Sequence, residues 1–182
     1  MTILHIDSSI TGENSVSRVI SRSIFDQLRA GDPAGEVIYR DLTAEPLPHL
    51  TLDVMADSTV VDEFIAADAV IIGAPMYNFS LPTQLKAWVD RILVAGKTFS
   101  YTEDGPVGLV PGKRVIVALA RGGHYNDAAT AALEHLETYL RAVFGFIGIT
   151  PEFVAADGVN LGPEHRESAV RGALGQTERL AA

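Results

Sequence analysis

Serine residues in two short segments near the start of the chain could bind an anion. Ser8 and Ser9 follow an apolar run, and Ser15-Val16-Ser17 lies a few residues further on. Hydroxyls and free backbone N–H groups at the start of a helix form a binding site for an anion such as phosphate. The alternative is that Ser15 only caps the helix, because serine is common at that position.

A second segment, residues 76–80, combines two aromatic side chains with an asparagine. It reads Met76-Tyr77-Asn78-Phe79-Ser80 and follows the apolar run Ala69 to Pro75. Aromatic and apolar side chains pack on a flat heterocycle, while exposed backbone groups bond its polar edge. The alternative is that Tyr77 and Phe79 are ordinary core or interface residues.

A third segment contains two adjacent glycines and reads Ala120-Arg121-Gly122-Gly123-His124. Paired glycines allow the backbone to approach a ligand closely. The alternative is a plain turn in which Arg121 is solvated and His124 is structural.

Alternating strand-like and helix-like patterns decide where these segments lie. Short apolar runs predict five strands, at residues 3–6, 36–40, 69–74, 114–119 and 151–156. Helical spacing predicts helices that begin near Ser15, cover 60–65, 85–93 and 133–144, and begin again at Gly162-Pro163. This alternation is typical of a doubly wound parallel sheet with helices on both faces, and five units fit the order 2-1-3-4-5. The serine, aromatic and glycine segments follow strands 1, 3 and 4, so we expect them at one edge of the sheet.

Three connections carry further expectations. Residues 43–57 are expected to form a loop, and Gly96 is expected to end the helix that covers 85–93. The segment Lys97 to Gly112 is long for a helix–strand connection yet is rich in apolar residues. We expect it to cover a surface or to meet a partner, the alternative being that it folds back on its own core.

Composition excludes several classes of protein. The 182 residues are expected to form a single domain, residues 1–182, and the absence of cysteine excludes disulfides and thiolate metal sites. The net charge of −9 disfavours nucleic-acid and membrane-surface roles. No apolar run approaches the length of a membrane span, so we expect a cytoplasmic protein without a membrane or nucleic-acid partner and assign no metal site.

The absence of several motifs narrows the classes of ligand and function that the chain could have. The chain has no G-x-G-x-x-G and no P-loop, so phosphate held by serines indicates a mononucleotide rather than a dinucleotide. It has no G-x-S-x-G elbow, which disfavours a serine esterase or phosphodiesterase. A receiver domain would need an aspartate where strand 3 ends in Gly73-Ala74-Pro75. A one-electron carrier remains the main alternative to an enzyme.

Together these segments resemble the FMN-dependent NADH-azoreductases, which are flavodoxin-like quinone and azo-dye reductases. The resemblance covers nearly the whole chain. It rests on the strings Asp7-Ser8-Ser9, Ser15-Val16-Ser17, Ala74 to Phe79, Pro82 to Lys86, Phe99 to Pro106, Arg121-Gly122-Gly123 and Phe144 to Ile149.

The resemblance implies a set of cofactor contacts. The FMN phosphate would bind at Ser9, Ser15, Val16 and Ser17. The isoalloxazine would be lined by Met76, Tyr77, Asn78 and Phe79, and its pyrimidine end would be held by Ala120, Arg121, Gly122 and Gly123. Ala120 stands where the family commonly has a hydroxyl residue, which removes one contact.

The resemblance also implies a reaction. NADH, or NADPH, gives a hydride to bound FMN and leaves, and a quinone or azo compound then accepts the electrons. NADH is favoured, because the chain shows no Arg/Lys cluster for a 2′-phosphate. His124 and Tyr101 are the candidates for a catalytic role, although FMN carries the chemistry. Family members are homodimers with the active site at the interface, so Tyr101 is expected to form part of the substrate wall.

Overall fold

A five-stranded parallel sheet separates two layers of helices in the computed structural model, which describes residues 1–125 and 127–180. Seven strands form within these residues: β1 (Thr2–Asp7), β2 (Glu36–Asp41), β3 (Ala69–Pro75), β4 (Phe99–Thr102), β5 (Gly105–Gly108), β6 (Arg114–Arg121) and β7 (Glu152–Asp157). The sheet order is β2-β1-β3-β6-β7, and β4 pairs with β5 in a separate antiparallel hairpin.

The described residues form six α-helices: α1 (Val16–Gly31), α2 (Leu52–Met55), α3 (Thr59–Ala66), α4 (Thr83–Ile92), α5 (Glu137–Phe146) and α6 (Pro163–Thr177), the last of which follows β7. Short 3-10 turns cover Gly12–Asn14, Ala131–Leu133 and Glu178–Leu180. No helix within the described residues combines the length and hydropathy that crossing a membrane requires.

Alternating side chains of the buried strands build two cores, because successive residues of a strand point to opposite faces. On one face, Ile3, Ile71 and Ile116 pack with Ile20 and Ile24 of α1. On the other face, the neighbouring residues of the same strands pack with α3, α4 and α5, around Phe64, Trp88 and Phe144. The apolar runs in the sequence are therefore continuous because both faces are covered.

The five parallel strands and the α/β class are confirmed, and the predicted order 2-1-3-4-5 holds among the five strands of the sheet but not as a numbering of all the strands. Two further strands, β4 and β5, lie in the segment 97–112, so the last two sheet strands are the sixth and seventh of the chain. Because glycine and proline are uncommon within strands, the sequence of this segment does not indicate the short hairpin that it forms, in which Phe99 pairs with Gly108 and Tyr101 with Pro106. The predicted domain, residues 1–182, includes residues 126, 181 and 182, which lie outside those described.

Two local predictions are wrong. The segment 43–57 contains the one-turn helix α2, which is too short to show helical periodicity and begins after Thr51, whose hydroxyl accepts from Val54 N at 3.3 Å. Helix α4 ends at Ile92 and not at Gly96. The hydroxyl of Thr98 satisfies backbone groups at the end of this helix, since it donates to the Ile92 carbonyl at 2.6 Å and accepts from Val94 N at 3.0 Å.

Candidate active site

The serine segment both caps α1 and lines a cavity. Ser15 Oγ accepts a hydrogen bond from Arg18 N at 3.2 Å, which makes it the N-cap, and lies 3.1 Å from Ser17 Oγ. Ser9, Ser15 and Ser17 are all buried in the protein. Hydroxyls clustered at the positive end of a helix favour an anion, so capping and anion binding are compatible here.

The aromatic segment forms a tight turn with two residues in the left-handed region. Tyr77 N donates to Ser80 O at 2.9 Å and Ser80 N donates to Tyr77 O at 3.1 Å, while φ is 47° at Asn78 and 70° at Phe79. Two positive φ values at the centre of such a pair define a type I′ turn. A phenylalanine in this conformation costs on the order of 1–3 kcal/mol, and such strain clusters at functional sites.

Hydrogen bonds bring the three predicted segments together. Tyr77 OH lies 3.1 Å from Ser9 Oγ and accepts from Ile10 N at 3.2 Å, which joins the segments that follow β1 and β3. Met76 N donates to Ala120 O at 2.8 Å, which ties in the end of β6. The carboxyl ends of neighbouring parallel strands therefore meet, as the order of the sheet requires.

A cavity of about 430 Å³ lies at this meeting point. Its lining includes eight of the predicted cofactor residues and six others, namely Ser9, Thr11, Asn14, Ser15, Val16, Ser17, Pro75, Met76, Tyr77, Ala120, Gly122, Val159, Asn160 and Arg166. This volume falls within the range of roughly 300–1,000 Å³ that is usual for ligand pockets. Asn78, Phe79, Arg121 and Gly123 lie outside the lining.

Comparison with known proteins places this geometry in a family. Residues 1–180 match the family model described as the flavodoxin-like fold. The chain is 58% identical to the FMN-dependent NADH:quinone oxidoreductase 2 of Bradyrhizobium diazoefficiens, over 96% of both chains. It is 53% identical to the FMN-dependent NADH:quinone oxidoreductase of Rhizobium meliloti, over 93% of this chain and 92% of the relative. The chain belongs to the family of these oxidoreductases.

Solved structures agree with this assignment. An azoreductase from Bacillus anthracis superposes with a TM-score of 0.91 at 26% identity, covering 100% of this chain and 98% of the other. A Bacillus anthracis FMN-dependent NADH-azoreductase in complex with FMN gives a TM-score of 0.85 at 26% identity, with both chains fully covered. The flavodoxin-like fold and the family resemblance expected from the sequence are confirmed.

Within this family member, a fourth loop, which the sequence patterns did not single out, completes the cavity. Asn160 follows β7, and Arg166 lies in the first turns of α6. The backbone of the loop continues the pairing of β6 with β7, since Val159 N donates to Arg121 O and Asn160 N to Gly122 O, both at 3.1 Å. The sequence pattern could have indicated this loop, because β7 is also a parallel strand whose carboxyl end lies at the same edge of the sheet.

Arg121 is buried and its guanidinium faces acidic side chains. It donates to Asp157 at 2.6 and 3.2 Å, to Glu137 at 3.2 Å and to Glu134 at 3.4 Å. Burial opposes its charge, but these carboxylates, Asp157 first, raise the pKa of Arg121 above its usual value. The side chain is therefore not solvated, and any contact of this residue with a ligand would come from its backbone.

Gly122 fits the close approach for which paired glycines were proposed. A Cβ at Gly122 would lie 2.6 Å from Asn160 Nδ2, so a larger residue would displace the asparagine that lines the cavity. Within the described residues, the backbone N–H groups of Gly122 and Gly123 have no hydrogen-bond acceptor. Both donors remain available to a ligand.

His124 and Tyr101, the two catalytic candidates, lie outside the cavity lining. His124 is exposed and its ring packs beside Gly158, where an added Cβ would lie 2.9 Å from the imidazole. Tyr101 is 74% exposed on the hairpin β4–β5. The single chain thus brings neither side chain to the cavity.

A larger cavity, of about 820 Å³, lies between α1 and the edge strand β2. Its polar groups mostly satisfy one another: Tyr39 OH donates to Asp7 at 3.0 Å, and Arg18 donates twice to Asp41 at 2.8 Å. Burial, with the nearby Asp7 carboxylate, raises the pKa of Tyr39 to about 12. Although His5 Nε2 and Arg18 Nε have no hydrogen-bond partner among the described residues, the predicted cofactor residues gather at the smaller cavity, which we therefore take as the candidate active site.

Proposed function

We propose that this protein is an FMN-dependent NADH:quinone oxidoreductase that also reduces azo compounds. The observation that carries the proposal is the cavity in which the serine hydroxyls before and within α1 meet the aromatic turn after β3. Two relatives that are 58% and 53% identical over nearly the whole chain carry the same activity in their names.

The phosphate end of FMN fits the serine segment. Ser9, Ser15 and Ser17 carry hydroxyls that bond mainly to one another or to neighbouring hydroxyls, and each hydroxyl has one donor and two acceptor positions. A bound phosphate would replace these mutual contacts with bonds to charged oxygens, which are shorter and stronger. Val16 N, in the first turn of α1, adds a helix N-terminal donor.

The ring system of FMN fits the opposite side of the cavity. Pro75, Met76 and Tyr77 supply apolar and aromatic surface, and Gly122 supplies close backbone access. Asn78 and Phe79 form the tip of the turn beside it, and Gly123 offers a second free N–H group. When bound, FMN supplies the hydride and electron chemistry, in separate half-reactions with NADH and with the acceptor.

The protein's part in the reaction is to bind and orient FMN and the substrates and to exclude competing reactions. Among the described lining residues the polar groups are mainly hydroxyls and amides, and none of these residues places a carboxylate or an imidazole beside the ring. Arg121, held by Asp157 and Glu134, fixes the backbone that would carry the pyrimidine contacts. We propose NADH rather than NADPH as the donor, because Arg166 is the one cation in the described lining.

We further propose that the protein is a homodimer whose interface completes the site. Phe99 anchors the base of the hairpin on α5, with ring centroids 4.7 Å from Phe146, and Tyr101, on the same strand face and 5.5 Å from the Phe99 ring, lies where the hairpin extends beyond this anchor. Tyr101, Val107 and Leu109 are 74%, 47% and 43% exposed there. A second copy that covers this apolar surface would bring Tyr101 to a substrate. The cytoplasmic location and the single domain stay predictions.

The two alternative functions differ from this proposal in ways that can be measured. A serine hydrolase would need a base beside Ser8 or Ser9, yet Ser8 donates to the Gly73 carbonyl at 2.7 Å and Ser9 contacts Thr11 and Tyr77. No histidine within the described residues bonds to either serine. A flavodoxin-like electron carrier would bind FMN but would not turn over NADH.

Two measurements on the purified protein test the proposal. A visible spectrum with flavin bands, released as FMN on denaturation, is expected and would exclude the hydrolase. Steady-state oxidation of NADH should then depend on an added quinone and also proceed with an azo dye. A protein that binds FMN but gives no quinone-dependent NADH oxidation would instead be the electron carrier.

A further inference from the structure

Arg166 is the cationic side chain that the described part of the chain contributes to the cavity lining. It lies in the first turns of α6 and is half-buried, and its Nη2 donates to the backbone carbonyl of Asn14 at 2.5 Å. Asn14 immediately precedes Ser15. The guanidinium is thus held next to the serine hydroxyls rather than beside the aromatic turn.

Among the described residues Arg166, like Arg29 and Arg91, bonds a backbone carbonyl and no carboxylate, but of these three it is the one that lines the cavity. Several arginines bond to carboxylates, for example Arg18 to Asp41, Arg114 to Glu152 and Arg171 to Glu167. Arg166 has no carboxylate partner within residues 1–125 and 127–180, although the chain has a net charge of −9. Its remaining N–H groups are therefore available to an anion in the cavity.

We propose that Arg166 recognises the phosphate of the bound flavin and makes the protein select FMN over riboflavin. This inference rests on the proposed function, since it assumes that the cavity holds a flavin. A doubly charged phosphate in an acidic protein gains from one fixed cation, and charge-assisted hydrogen bonds are about twice as strong as neutral ones. The serines alone supply only neutral donors.

A purely structural role for Arg166 predicts a different result. Its bond to Asn14 also joins α6 to the turn that precedes α1, so its loss could loosen the cavity for any flavin. Riboflavin separates the two roles, because it has the same ring and ribityl chain as FMN but lacks the phosphate. A charge role affects FMN alone, whereas a loosened cavity affects both ligands.

The test is the affinity of flavin-depleted protein for FMN and for riboflavin, measured by quenching of flavin fluorescence. The variants are Arg166→Gln and Arg166→Lys. The matched control is Arg171→Gln, which removes the same charge from an exposed position on the same helix. We expect Arg166→Gln to weaken FMN binding roughly tenfold and to leave riboflavin binding unchanged. Arg166→Lys should recover part of the loss, and Arg171→Gln should change neither affinity.

The dependence of FMN affinity on salt concentration is a second measurement that tests the role of Arg166. The effect of Arg166→Gln on FMN should shrink in about 0.5 M NaCl, because exposed charge interactions are screened. Equal weakening of both flavins, together with a lower melting temperature, would overturn the inference in favour of the structural role. Unchanged FMN affinity would overturn it while leaving the proposed function intact. If the wild-type protein bound neither flavin, the proposed function would fail and this inference with it.

Discussion

The phenol oxygen of Tyr77 lies 3.1 Å from the hydroxyl oxygen of Ser9, across the boundary between β1 and β3. The same phenol accepts a hydrogen bond from Ile10 N at 3.2 Å. One side chain of the aromatic turn thereby sets the position of the loop that would receive a phosphate. The segments proposed to bind the flavin ring and the phosphate are thereby linked by hydrogen bonds in the protein without a ligand.

Tyr77→Phe tests this link. The substitution keeps the ring but removes the phenol that contacts Ser9 Oγ and Ile10 N, so the loop after β1 is less ordered in the free protein and ligand binding must order it, at a cost of about 1 kcal/mol. We expect FMN affinity to fall roughly fivefold, as measured by fluorescence quenching, with little change in the melting temperature. Tyr101→Phe, which removes a phenol from the exposed hairpin, is the control and should leave FMN affinity unchanged. Unaltered affinity in Tyr77→Phe would show that the link has no energetic weight.

Ser17→Asp tests the phosphate subsite. It places a carboxylate beside Ser15 at the start of α1, where the helix terminus stabilises negative charge and the fold should therefore be retained. We expect the variant to purify without FMN and to show an unchanged far-UV circular dichroism spectrum. Ser17→Ala should retain FMN with weakened affinity. A yellow aspartate variant with wild-type affinity would show that the assignment of Ser17 is wrong.

Phe79→Gly and Phe79→Ala test the strain in the aromatic turn. Both remove a ring that is 46% exposed, but only glycine tolerates the φ of 70° at this position. We expect the glycine variant to have the higher free energy of unfolding, by about 1–2 kcal/mol, in urea titrations of the two proteins. In that variant the centre of the turn becomes asparagine followed by glycine, which is the favoured type I′ pair. Equal stabilities would mean that the left-handed conformation at Phe79 is not maintained in solution.

The buried His5 makes the folding stability of the protein depend on pH. Burial lowers the pKa of His5 below its usual value, more than the neighbouring Asp7 carboxylate raises it. The unfolded chain therefore binds this proton more tightly than the folded one, so stability is lost as the pH falls below about 6.5. We expect His5→Gln to flatten the decline in unfolding free energy between about pH 7.5 and 5.5. His165→Gln, on exposed α6, should leave it unchanged. An identical decline in His5→Gln and wild type would contradict the prediction.

Tyr101→Ala tests whether the hairpin contributes to the active site of a dimer. Loss of the exposed side chain should change KM or kcat for a bulky acceptor while FMN content stays nearly intact. Sedimentation of the wild-type protein at micromolar concentration checks the dimer separately. A fully active monomer would contradict the dimer, and kinetics that are unchanged for every acceptor tested would remove Tyr101 from the site.

Local sequence patterns by themselves determined the five strands of the sheet and the longer helices, but not the β4–β5 hairpin or α2, and they indicated the class of ligand. Apolar runs that both faces of the sheet must cover predicted the strands, and Ser15 predicted the start of α1. The strings around Ser9 and Met76 indicated the family. These signals are readable because they depend on neighbours within a few residues along the chain, through periodicity, capping and turn chemistry.

Only the tertiary structure decided which side chains share the cavity and which are turned away from it. The sequence and its family resemblance suggested that Arg121 either holds the pyrimidine end of FMN or is solvated, yet Asp157, 36 residues further on, holds its guanidinium outside the cavity. Arg166, 152 residues from Asn14, is held at the serine segment. Pairing of β6 with β7 and packing of α6 against α1 set both outcomes. The partner of a charged group depends on distance through the fold and on local burial, and neither quantity is encoded by spacing along the chain.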